Sequence, residues 1–445
     1  MARTQGLENV CTKLQRIAEQ AKHHRERVFT SLGHQIDLEF LREAYRRTRK
    51  SGAVGIDGVT ATQYAMELDA NLAKLREALM SGSYRAPAVR RVEIPKGKDS
   101  VRPIGIPSFE DKVLQRAVVM MLEPIYEADF LDCSHGFRPG RSPYTALDAL
   151  WKGLMGMGGG WVVELDIKSY FDTIDHSQLR AMLDERVRDG VLRRVIHKWL
   201  KAGVMHGEQW KRMEAGTPQG GVISPLLSNV YLHHVLDVWF EQQVKPRLRG
   251  RAFMIRFADD AVLVTQYEDD AHRLLEVLPK RFAKYGLQLH PEKTRLIGFC
   301  KPPQRPKDNV QGGGPGSFDF LGFTHFWAKS RRGDWVVKRK TEKARFAKAV
   351  SSVRDWCAKH RHMPVPEQHQ KLRVKMLGHY NYYGVTHNFR RIAAYYRSVR
   401  RAWQWALNRR GGKRRVTWER YKSIIERFPL PKPRIVHGPH LAAKP

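Results

Sequence analysis

The sequence predicts an α+β protein, and three observations support that prediction. Two short apolar runs interrupted by carboxylates, at residues 161–172 and 254–264, are typical of strands that end in polar turns. Apolar residues recur at helical spacing in residues 1–50 and again after Lys338. A chain of 445 residues is too long for one compact domain, so we expect roughly two to four.

The second of these runs holds two adjacent carboxylates, Asp259 and Asp260, between apolar segments. The pattern predicts a β-hairpin whose tight turn extends from Phe257 to Asp260. Neighbouring carboxylates repel each other and lose hydration when buried, so this pair indicates either a bound cation or a solvated turn. Hard oxygen ligands favour Mg²⁺, or Mn²⁺ in its place, over Zn²⁺.

A third carboxylate lies upstream, in residues 161–172. An apolar strand ends there at Asp166, a turn follows, and a helix is predicted to begin near Ser177. One Asp at a strand end and an Asp-Asp hairpin can hold two divalent ions about 4 Å apart, as in phosphoryl transfer. We therefore predict that Asp166, Asp259 and Asp260 are catalytic and ligate two Mg²⁺ ions.

The order of three segments resembles a known family. Asp166 with Phe171 five residues later, then Gly216-Thr217-Pro218-Gln219-Gly220-Gly221, then Phe257-Ala258-Asp259-Asp260 occur in the order of reverse-transcriptase palm motifs. With similar motifs on either side, the chain resembles bacterial group II intron-encoded reverse transcriptases and maturases over most of its length. The resemblance implies a right-hand polymerase, with fingers and a palm of antiparallel sheet plus helices, followed by a helical thumb and maturase domain.

The same resemblance divides the chain into segments. Residues 1–90 would be an N-terminal extension and the start of the fingers, 91–160 the fingers, 161–330 the palm, and 331–445 a basic helical thumb and maturase domain. Within the palm, residues 301–317 are rich in Pro and Gly and are expected to be a flexible insert. A Cys/His endonuclease module, often found in the family, does not follow, so we expect priming on nicked or single-stranded target DNA.

The charge of the chain predicts a polyanionic partner. There are 79 Lys and Arg against 45 Asp and Glu, a net charge of +34. From Arg331 to the C-terminus there are 30 Lys and Arg and 6 Asp and Glu, so most of the excess lies in the last quarter. Nucleic acid is the first candidate and an anionic membrane the second. No apolar run approaches the roughly 20 residues of a membrane span and no signal core is visible, which predicts a cytoplasmic protein in the bacterial cytosol or on the nucleoid.

Two other patterns are not predicted to form sites. The cysteines at 11, 133, 300 and 357 are scattered without a CxxC pair, which predicts reduced structural thiols rather than zinc ligands or disulfides. The glycine run from Gly156 to Gly160 follows a helix and opens a strand, the reverse of a dinucleotide-binding loop, so a flexible turn is expected.

A basic hairpin is the first candidate for nucleotide binding. Residues 89–107 predict two strands with a basic tip, and the prolines at the strand ends favour the edge of a sheet. Lys96, Lys98 and Arg102 are candidates to grip a triphosphate, or alternatively to contact an RNA backbone. In the resembled family one Lys and one Arg of this hairpin hold the nucleotide. The pattern favours Arg102 and leaves Lys96 and Lys98 as competing candidates.

Three further candidates for nucleotide binding follow from the resemblance. Phe171 would exclude a 2′-hydroxyl and so select dNTPs, although it could instead be a core residue with Tyr170. Gln219 would hydrogen-bond the nucleotide or the template from a glycine loop that approaches a base pair. Lys293 would protonate pyrophosphate or simply neutralise charge. His135 has no catalytic partner in the sequence and is expected to be structural.

The tail combines apolar stripes with basic and aromatic side chains. The stripes, which predict helix cores, are Phe346, Val350, Val353, Cys357 and then Phe389, Ile392, Tyr396, Val399, Trp403. The candidate RNA contacts are Arg390, Arg391, Arg397, Arg400, Arg401, Arg409, Arg410, Lys413, Arg414 and Arg415. The aromatic residues expected to stack on unpaired bases are Tyr382, Tyr383, Tyr395, Trp405 and Trp418.

These patterns lead to one hypothesis and two alternatives. The hypothesis is an RNA-directed DNA polymerase that extends a DNA primer on intron RNA with dNTPs, and that binds this RNA to assist splicing and mobility, without a membrane. The first alternative is an RNA-binding splicing factor with a vestigial polymerase site, against which the intact Asp166, Gln219, Asp259 and Asp260 argue. The second is a reverse transcriptase of a defence or CRISPR-linked system, against which the long basic and aromatic tail argues. The intron, its target and the oligomeric state are not encoded in any recognisable pattern.

Overall fold

The computed structural model describes residues 2–95, 101–206, 209–211, 216, 220–303, 316–410 and 416–438. The chain forms two compact units. The first comprises Met1–Ala146 and Val163–Arg295, and the second comprises Leu147–Val162 and Leu296–Pro445. Both units combine helices with largely antiparallel sheets, which confirms the predicted α+β class.

Helices make up most of the first unit. In chain order they are α1 (Ala2–His23), α2 (Leu38–Arg47), α3 (Ala61–Met66), α4 (Leu68–Ser81), α5 (Phe109–Asp129), α6 (Pro143–Met157), α7 (Tyr170–Thr173), α8 (His176–Asp184), α9 (Gly190–Lys201), α10 (Ser224–Leu232) and α11 (Glu268–Ala283). Only the first four residues of α6 belong to this unit. Helix α10 continues into two π-helical turns, His233–Asp237 and Phe240–Val244.

Helix α5 lies at the centre of the first unit's core. The Ser108 side chain accepts a hydrogen bond from the backbone N–H of Asp111 (3.2 Å) and so caps the helix. Apolar residues recur at helical spacing from Asp111 to Ile125, a pattern that predicts a structural helix. These residues are all fully buried, namely Val113, Leu114, Ala117, Val118, Met121 and Leu122. The predicted structural helix is confirmed, and it extends a few residues beyond the predicted ends.

In chain order the strands begin with β1 (Val89–Pro95), β2 (Val101–Ile106), β3 (Trp161–Leu165), β4 (Val204–His206), β5 (Gln209–Lys211), β6 (Ala252–Phe257), β7 (Asp260–Thr265) and β8 (Arg295–Gly298). One sheet has the order β2-β1-β4-β5, and its β1 and β2 form the predicted antiparallel hairpin. Strand β2 is an edge, as expected. Strand β1 is not, because Val89 and Arg90 also pair in parallel with β4. Pro95 lies at the other end of β1, where it interrupts no ladder bond to β4.

The second sheet positions the carboxylates predicted to be catalytic. Strands β6 and β7 form an antiparallel hairpin, and β3 lies beside β7. Every residue from Ala261 to Thr265 of β7 is buried, as are Val162 to Leu165 of β3. The polar ends of these strands therefore project from a rigid apolar centre.

The second unit contains a small sheet and a helical bundle. Its further elements are β9 (Ser317–Phe320), β10 (Phe323–Lys329), β11 (Trp335–Thr341), α12 (Lys343–Lys359), α13 (Val365–Tyr383), α14 (Phe389–Asn408) and α15 (Trp418–Arg427). The sheet order is β11-β10-β9. The pattern of residues 318–323 predicts a strand and a turn. Leu321 (φ 51°) and Gly322 (φ 75°) form the two-residue turn between β9 and β10, which confirms this prediction.

The apolar stripes of the tail pack together in the bundle. Val353 and Cys357 of α12 are buried in one cluster with Ile392, Val399 and Trp403 of α14, and most other stripe members pack against its surface. Phe389 was expected in this core, but 51 % of it is exposed. It is the first residue of α14, where the helix face extends past the packed part of the bundle. Among the residues that the structure describes, no helix is long and apolar enough to cross a membrane.

Candidate active site

The Asp-Asp turn is a two-residue loop. The ladder between β6 and β7 ends with Phe257 opposite Asp260, so Ala258 and Asp259 make the connection, as predicted. Ala258 has φ 58°, in the left-handed region. For a residue with a side chain this conformation costs about 1–2 kcal/mol. It persists only because the surrounding structure holds the turn.

Arg256 is the residue that holds the turn. Its Nη1 donates to the carbonyl oxygen of Ala258 (2.9 Å) and to Asn229 Oδ1 (3.0 Å). Nε and Nη2 donate to the two carboxylate oxygens of Asp237 (2.7 and 2.5 Å), and Nη2 also donates to Ser134 Oγ (2.8 Å). Arg256 and Asp237 have no exposed side-chain surface. Burial lowers the pKa of Arg256, but the Asp237 carboxylate outweighs burial and raises it above its usual value.

A second contact fixes the turn from the loop that precedes α6. The backbone of Arg256 pairs with this loop, donating to the carbonyl of Cys133 (2.7 Å) and accepting from the N–H of His135 (2.8 Å). A Cβ on Gly136 would lie 2.2 Å from the backbone nitrogen of Ala258, so only glycine fits there. His135 is buried, with Nδ1 3.0 Å from Thr145 Oγ1, which agrees with the structural role expected for it.

Asp166 follows strand β3 and faces a lysine. Its carbonyl oxygen accepts from the N–H of His290 (2.8 Å), and Lys168 donates to the carbonyl of Gln288 (2.8 Å), so the segment before β8 lies along the Asp166 turn. This pairing brings Lys293 Nζ to 3.1 Å from Asp166 Oδ2. The pair is accessible, with 34 % of the Asp166 side chain and 52 % of the Lys293 side chain exposed. Lys293 therefore neutralises Asp166 in this structure.

Tyr170 connects the Asp166 turn electrostatically to the Asp-Asp turn. Its ring is buried, and its hydroxyl donates to the carbonyl of Ser228 (2.8 Å). Burial raises the pKa of Tyr170, and the negative charge of Asp259 adds to the rise by opposing a phenolate. Asp259 thus lies within electrostatic range of a side chain only four residues after Asp166. Ser169, which precedes α7, also has a left-handed backbone (φ 48°).

The donor set fits a hard divalent cation by its chemistry. Asp166 follows β3 and Asp260 begins β7, and these strands are neighbours in one sheet. Carboxylate oxygens are the ligands that Mg²⁺ and Mn²⁺ prefer. Across the described ranges, no three His, Cys, Asp or Glu side chains are close enough together to form a metal-ligand cluster. The Lys293 ammonium supplies the positive charge that Asp166 faces.

A glycine clamps the predicted glycine loop against the Phe171 segment. Gly216 has φ 89°, and a Cβ there would lie 2.7 Å from the carbonyl oxygen of Phe171. Its N–H donates to the carbonyl of Ile174 (2.8 Å), and its own carbonyl accepts from His176 Nε2 (2.6 Å). Phe171 is half-buried while Tyr170 is in the core, so only the second of the two aromatic rings is accessible from outside.

The far end of the same loop is held by a buried amide. Gln115 Oε1 accepts from the backbone N–H groups of Val222 (2.7 Å) and Ile223 (3.3 Å). Gln115 Nε2 donates to Asp111 Oδ2 (3.0 Å), which fixes the amide with its oxygen toward the loop. Asp111 also accepts from Trp199 Nε1 (2.6 Å). Burial raises the pKa of Asp111 to about 6, while hydrogen bonds from Tyr84, Trp199 and Gln115 oppose the rise.

Several candidate residues lie outside the described residues. These are Lys96, Lys98 and Gln219, together with Lys413, Arg414 and Arg415. For Arg102 the backbone alone is described, in β2 opposite Ile94. The structure therefore brings Asp166 and Lys293 together, holds Asp259 in a fixed turn, and sets Phe171 beside Gly216.

The residues that hold the two loops are not among the predicted site residues. These are Gln115, Ser134, Asn229, Asp237 and Arg256. A signal was present for two of them, because Arg256 and Asp237 are charged residues within apolar runs and so need partners when buried. Nothing in the sequence indicates which partners they find.

The basic tail is partly used inside the fold. Arg390, Arg397, Arg401 and Arg409 are exposed. Arg410 is half-buried and donates to the carbonyl of Met363. Two other arginines make cation–π contacts inside the unit: Arg391 Cζ lies 5.1 Å from the centroid of the Phe346 ring, and Arg400 Cζ lies 5.7 Å from that of Tyr396. The accessible cations are therefore fewer than the sequence suggests.

The aromatic residues of the tail need a correction. Tyr395 was expected to stack on bases, but it is buried in the bundle with its ring 3.7 Å from that of His379. Tyr382 and Tyr383 are half-buried, and the Tyr382 hydroxyl donates to the carbonyl of Leu321 (3.0 Å). Trp405 is 41 % exposed and carries Arg409 4.0 Å above its ring. These tyrosine rings pack in the interior because burying their large apolar areas stabilises the fold.

Taken together, the strand-end Asp, the fixed Asp-Asp turn and the clamped glycine loop define a nucleic-acid polymerase palm. Residues 94–325 match the family described as reverse transcriptase (RNA-dependent DNA polymerase), just over half of the chain. This chain belongs to the reverse transcriptase family.

Individual relatives are similar over shorter stretches. The chain is 41 % identical over 221 residues to Protein YkfC of Escherichia coli strain K12, covering 48 % of this chain and 57 % of that protein. It is 36 % identical over 290 residues to the group II intron-encoded protein LtrA of Lactococcus lactis subsp. cremoris, covering 64 % of this chain and 47 % of that protein. Nuclear intron maturase 1, mitochondrial, of Arabidopsis thaliana is 34 % identical to this chain over 95 residues, covering 21 % of this chain and 13 % of that protein. The chain spans about half the length of the first two relatives.

Proposed function

We propose that this protein is an RNA-directed DNA polymerase that copies intron RNA into cDNA from a DNA primer, and that it binds the intron RNA to assist splicing and mobility. The observation that carries the proposal is the Asp-Asp turn held by Arg256, on a strand next to the one that precedes Asp166, in a chain of the reverse transcriptase family. The intron part draws on similarity to proteins whose names contain the words intron-encoded and intron maturase.

Asp166, Asp259 and Asp260 would hold two divalent ions, Mg²⁺ or Mn²⁺ in its place. Bound there, such ions supply Lewis-acid activation of the primer 3′-hydroxyl and stabilisation of the pyrophosphate leaving group. The part of the protein in this chemistry is to keep carboxylates in position. The hydrogen bond from Arg256 to the carbonyl of Ala258 restricts movement of the turn and so keeps Asp259 in place. This favours a preorganised site.

Lys293 lies where it could serve either of its two predicted roles. At 3.1 Å from Asp166 it balances the carboxylate charge when no cation is bound. When a cation and a triphosphate enter, the ammonium becomes available to the departing phosphates, as a counter-charge or as a proton donor. Exposure of half of its side chain is consistent with such a change of partner.

The nucleotide would lie between the two loops. Phe171 would meet its sugar and exclude a 2′-hydroxyl, and Gln219, in the loop tied down by Gly216 and Gln115, would contact its base or the template. Lys96 or Lys98, with Arg102, would hold the triphosphate from the β1–β2 hairpin. The tight anchoring of both ends of the glycine loop supports this arrangement, since a fixed loop can test the shape of a base pair.

RNA would be bound largely by the second unit. Its exposed arginines at 390, 397 and 401 are spaced along α14, Arg409 follows the last residue of that helix, and Trp405 offers an exposed ring beside Arg409. Such cations neutralise phosphates, and the indole can stack on an unpaired base. The net positive charge of the last quarter of the chain supports the same role.

Primer extension tests the proposal directly. The assay uses a DNA primer on an RNA template with Mg²⁺ and dNTPs, and compares the wild type with Asp259→Asn. The matched control is Asp269→Asn, since Asp269 lies on the surface with 69 % of its side chain exposed. We expect cDNA from the wild type and the control, and none from Asp259→Asn. Intact RNA binding without cDNA from any of the three would favour the splicing factor with a vestigial site.

A further inference from the structure

The first unit contains a cavity whose lining residues are not among the predicted site residues. It lies between α5, α8 and α9, has a volume of about 370 Å³, and is open to solvent at a mouth lined by arginines. Its floor is apolar, formed by Leu183 and Ile196, which keep 5 % and 3 % of their surface exposed, whereas Leu122 is fully covered. A volume of this size accommodates a small planar group such as a nucleobase.

The mouth of the cavity has an excess of positive charge. Arg180, Arg193 and Arg194 line it, and Asp184 is the one carboxylate among the lining residues. Arg193 pairs with Asp184 (2.7 Å). Within the part of the chain that the structure describes, Arg180 and Arg194 have no carboxylate partner. Two cations are therefore available to an anion that enters the mouth.

His197 adds a neutral polar group at the same mouth. Arg180 Nη1 lies 3.2 Å from His197 Nδ1, which must accept because the guanidinium can only donate. Burial lowers the pKa of His197, and the charges of Lys201 and Arg180 lower it further. The imidazole thus stays uncharged at neutral pH with its proton on Nε2, so the lining of the cavity includes a neutral hydrogen-bond donor.

We propose that this cavity binds one unpaired nucleotide of RNA, with the base on the floor of Leu183 and Ile196 and the phosphate between Arg180 and Arg194. The combination of an apolar floor with guanidinium groups that lack a carboxylate partner fits a nucleoside phosphate better than an inorganic anion, which would leave the floor empty. The proposal rests on the RNA-binding part of the proposed function. It adds a contact on the first unit, distinct from the carboxylate site.

Gly190 provides the sharpest test because it lines the cavity and a Cβ there meets no atom within 4 Å. Gly190→Phe should fill the space without disturbing the backbone, and Gly190→Ala is its matched control. Arg194→Ala removes one cation of the mouth. Arg188→Ala removes the same charge two residues before Gly190, from a side chain that does not line the cavity.

The measurement is fluorescence anisotropy with a short single-stranded RNA oligonucleotide at near-physiological salt. We expect Gly190→Phe and Arg194→Ala each to weaken binding about tenfold, and Gly190→Ala and Arg188→Ala to weaken it less than twofold. A 4-thiouridine version of the RNA should crosslink to the peptide of α8 and α9 in the wild type and not in Gly190→Phe.

Unchanged affinity in both Gly190→Phe and Arg194→Ala would overturn the proposal, and is also the result expected if the cavity instead takes an acidic peptide. If the wild type binds RNA and extends a primer while these variants behave like their controls, the cavity proposal fails alone. If the wild type does not bind RNA at all, it fails together with the proposed function.

Discussion

Replacing Arg256 with Met removes five hydrogen bonds from the interior of the first unit. The Asp237 carboxylate, which has no exposed surface, is then left buried without a counter-charge. Breaking a buried ion pair in this way costs about 3–5 kcal/mol of unfolding free energy. We expect Arg256→Met to lose that amount in urea unfolding, and to lose primer-extension activity as well.

A double variant separates stability from positioning. Arg256→Met with Asp237→Leu removes both buried charges, and such replacements are often neutral for stability. We expect it to recover most of the unfolding free energy, within about 2 kcal/mol of the wild type, because Ser134 and Asn229 still lose a partner. The carbonyl of Ala258 still has no donor, so activity should stay about 100-fold low, as for a catalytic group displaced by about 1 Å.

The matched control is Arg249→Met on the surface. Arg249 pairs with Asp269 at 3.4 Å, and more than 60 % of each side chain is exposed. Such a pair contributes about 1 kcal/mol or less. Full activity in the refolded double variant would refute the positioning role of Arg256. A loss of stability in Arg256→Met no larger than in the control would refute the energetic argument.

Three more predictions concern single residues of the site. Because burial raises the pKa of Asp111 to about 6, its folded form binds a proton more tightly than the unfolded form. The stability advantage of the wild type over Asp111→Asn should therefore shrink by about 2 kcal/mol as the pH rises from 4 to 7, and unfolding curves with the same offset at both pH values would contradict this. Gly136→Ala places a Cβ against Ala258 and should abolish cDNA synthesis, whereas Gly156→Ala, with no atom within 4 Å, should not. Phe171→Ala should raise incorporation of rNTPs relative to dNTPs in primer extension, and unchanged rNTP exclusion would reject the sugar contact.

Local patterns were sufficient for the elements around the site. The β6–β7 hairpin, helix α5 and the strand before Asp166 all follow from periodicity within a dozen or so residues, which is the range over which backbone conformation and side-chain direction are linked. The turn at Ala258 and Asp259 was predicted for the same reason, since apolar runs flank it on both sides.

The contacts that hold the site could not be predicted in this way. Arg256 finds Asp237 19 residues away and Ser134 122 residues away, and Gln115 reaches Val222 over 107 residues. A sequence shows that a buried charge needs a partner, but the partner is chosen by tertiary packing. Tyr395 illustrates the opposite error, because its helix position allowed either a solvent-facing or an interior ring, and bundle packing placed it inside.

Phe137, Ser169 and Ala258 all hold side chains in left-handed backbone conformations within the loops around the carboxylates. Each of these conformations carries backbone strain, and a glycine at the same position would relieve it and so stabilise the fold. Selection for heat resistance alone would favour glycine at these positions. At Ala258 that substitution would loosen the turn that carries Asp259. Substitutions for a more thermostable variant are better placed in the bundle of α12 to α15, where improved packing does not alter the carboxylate turn.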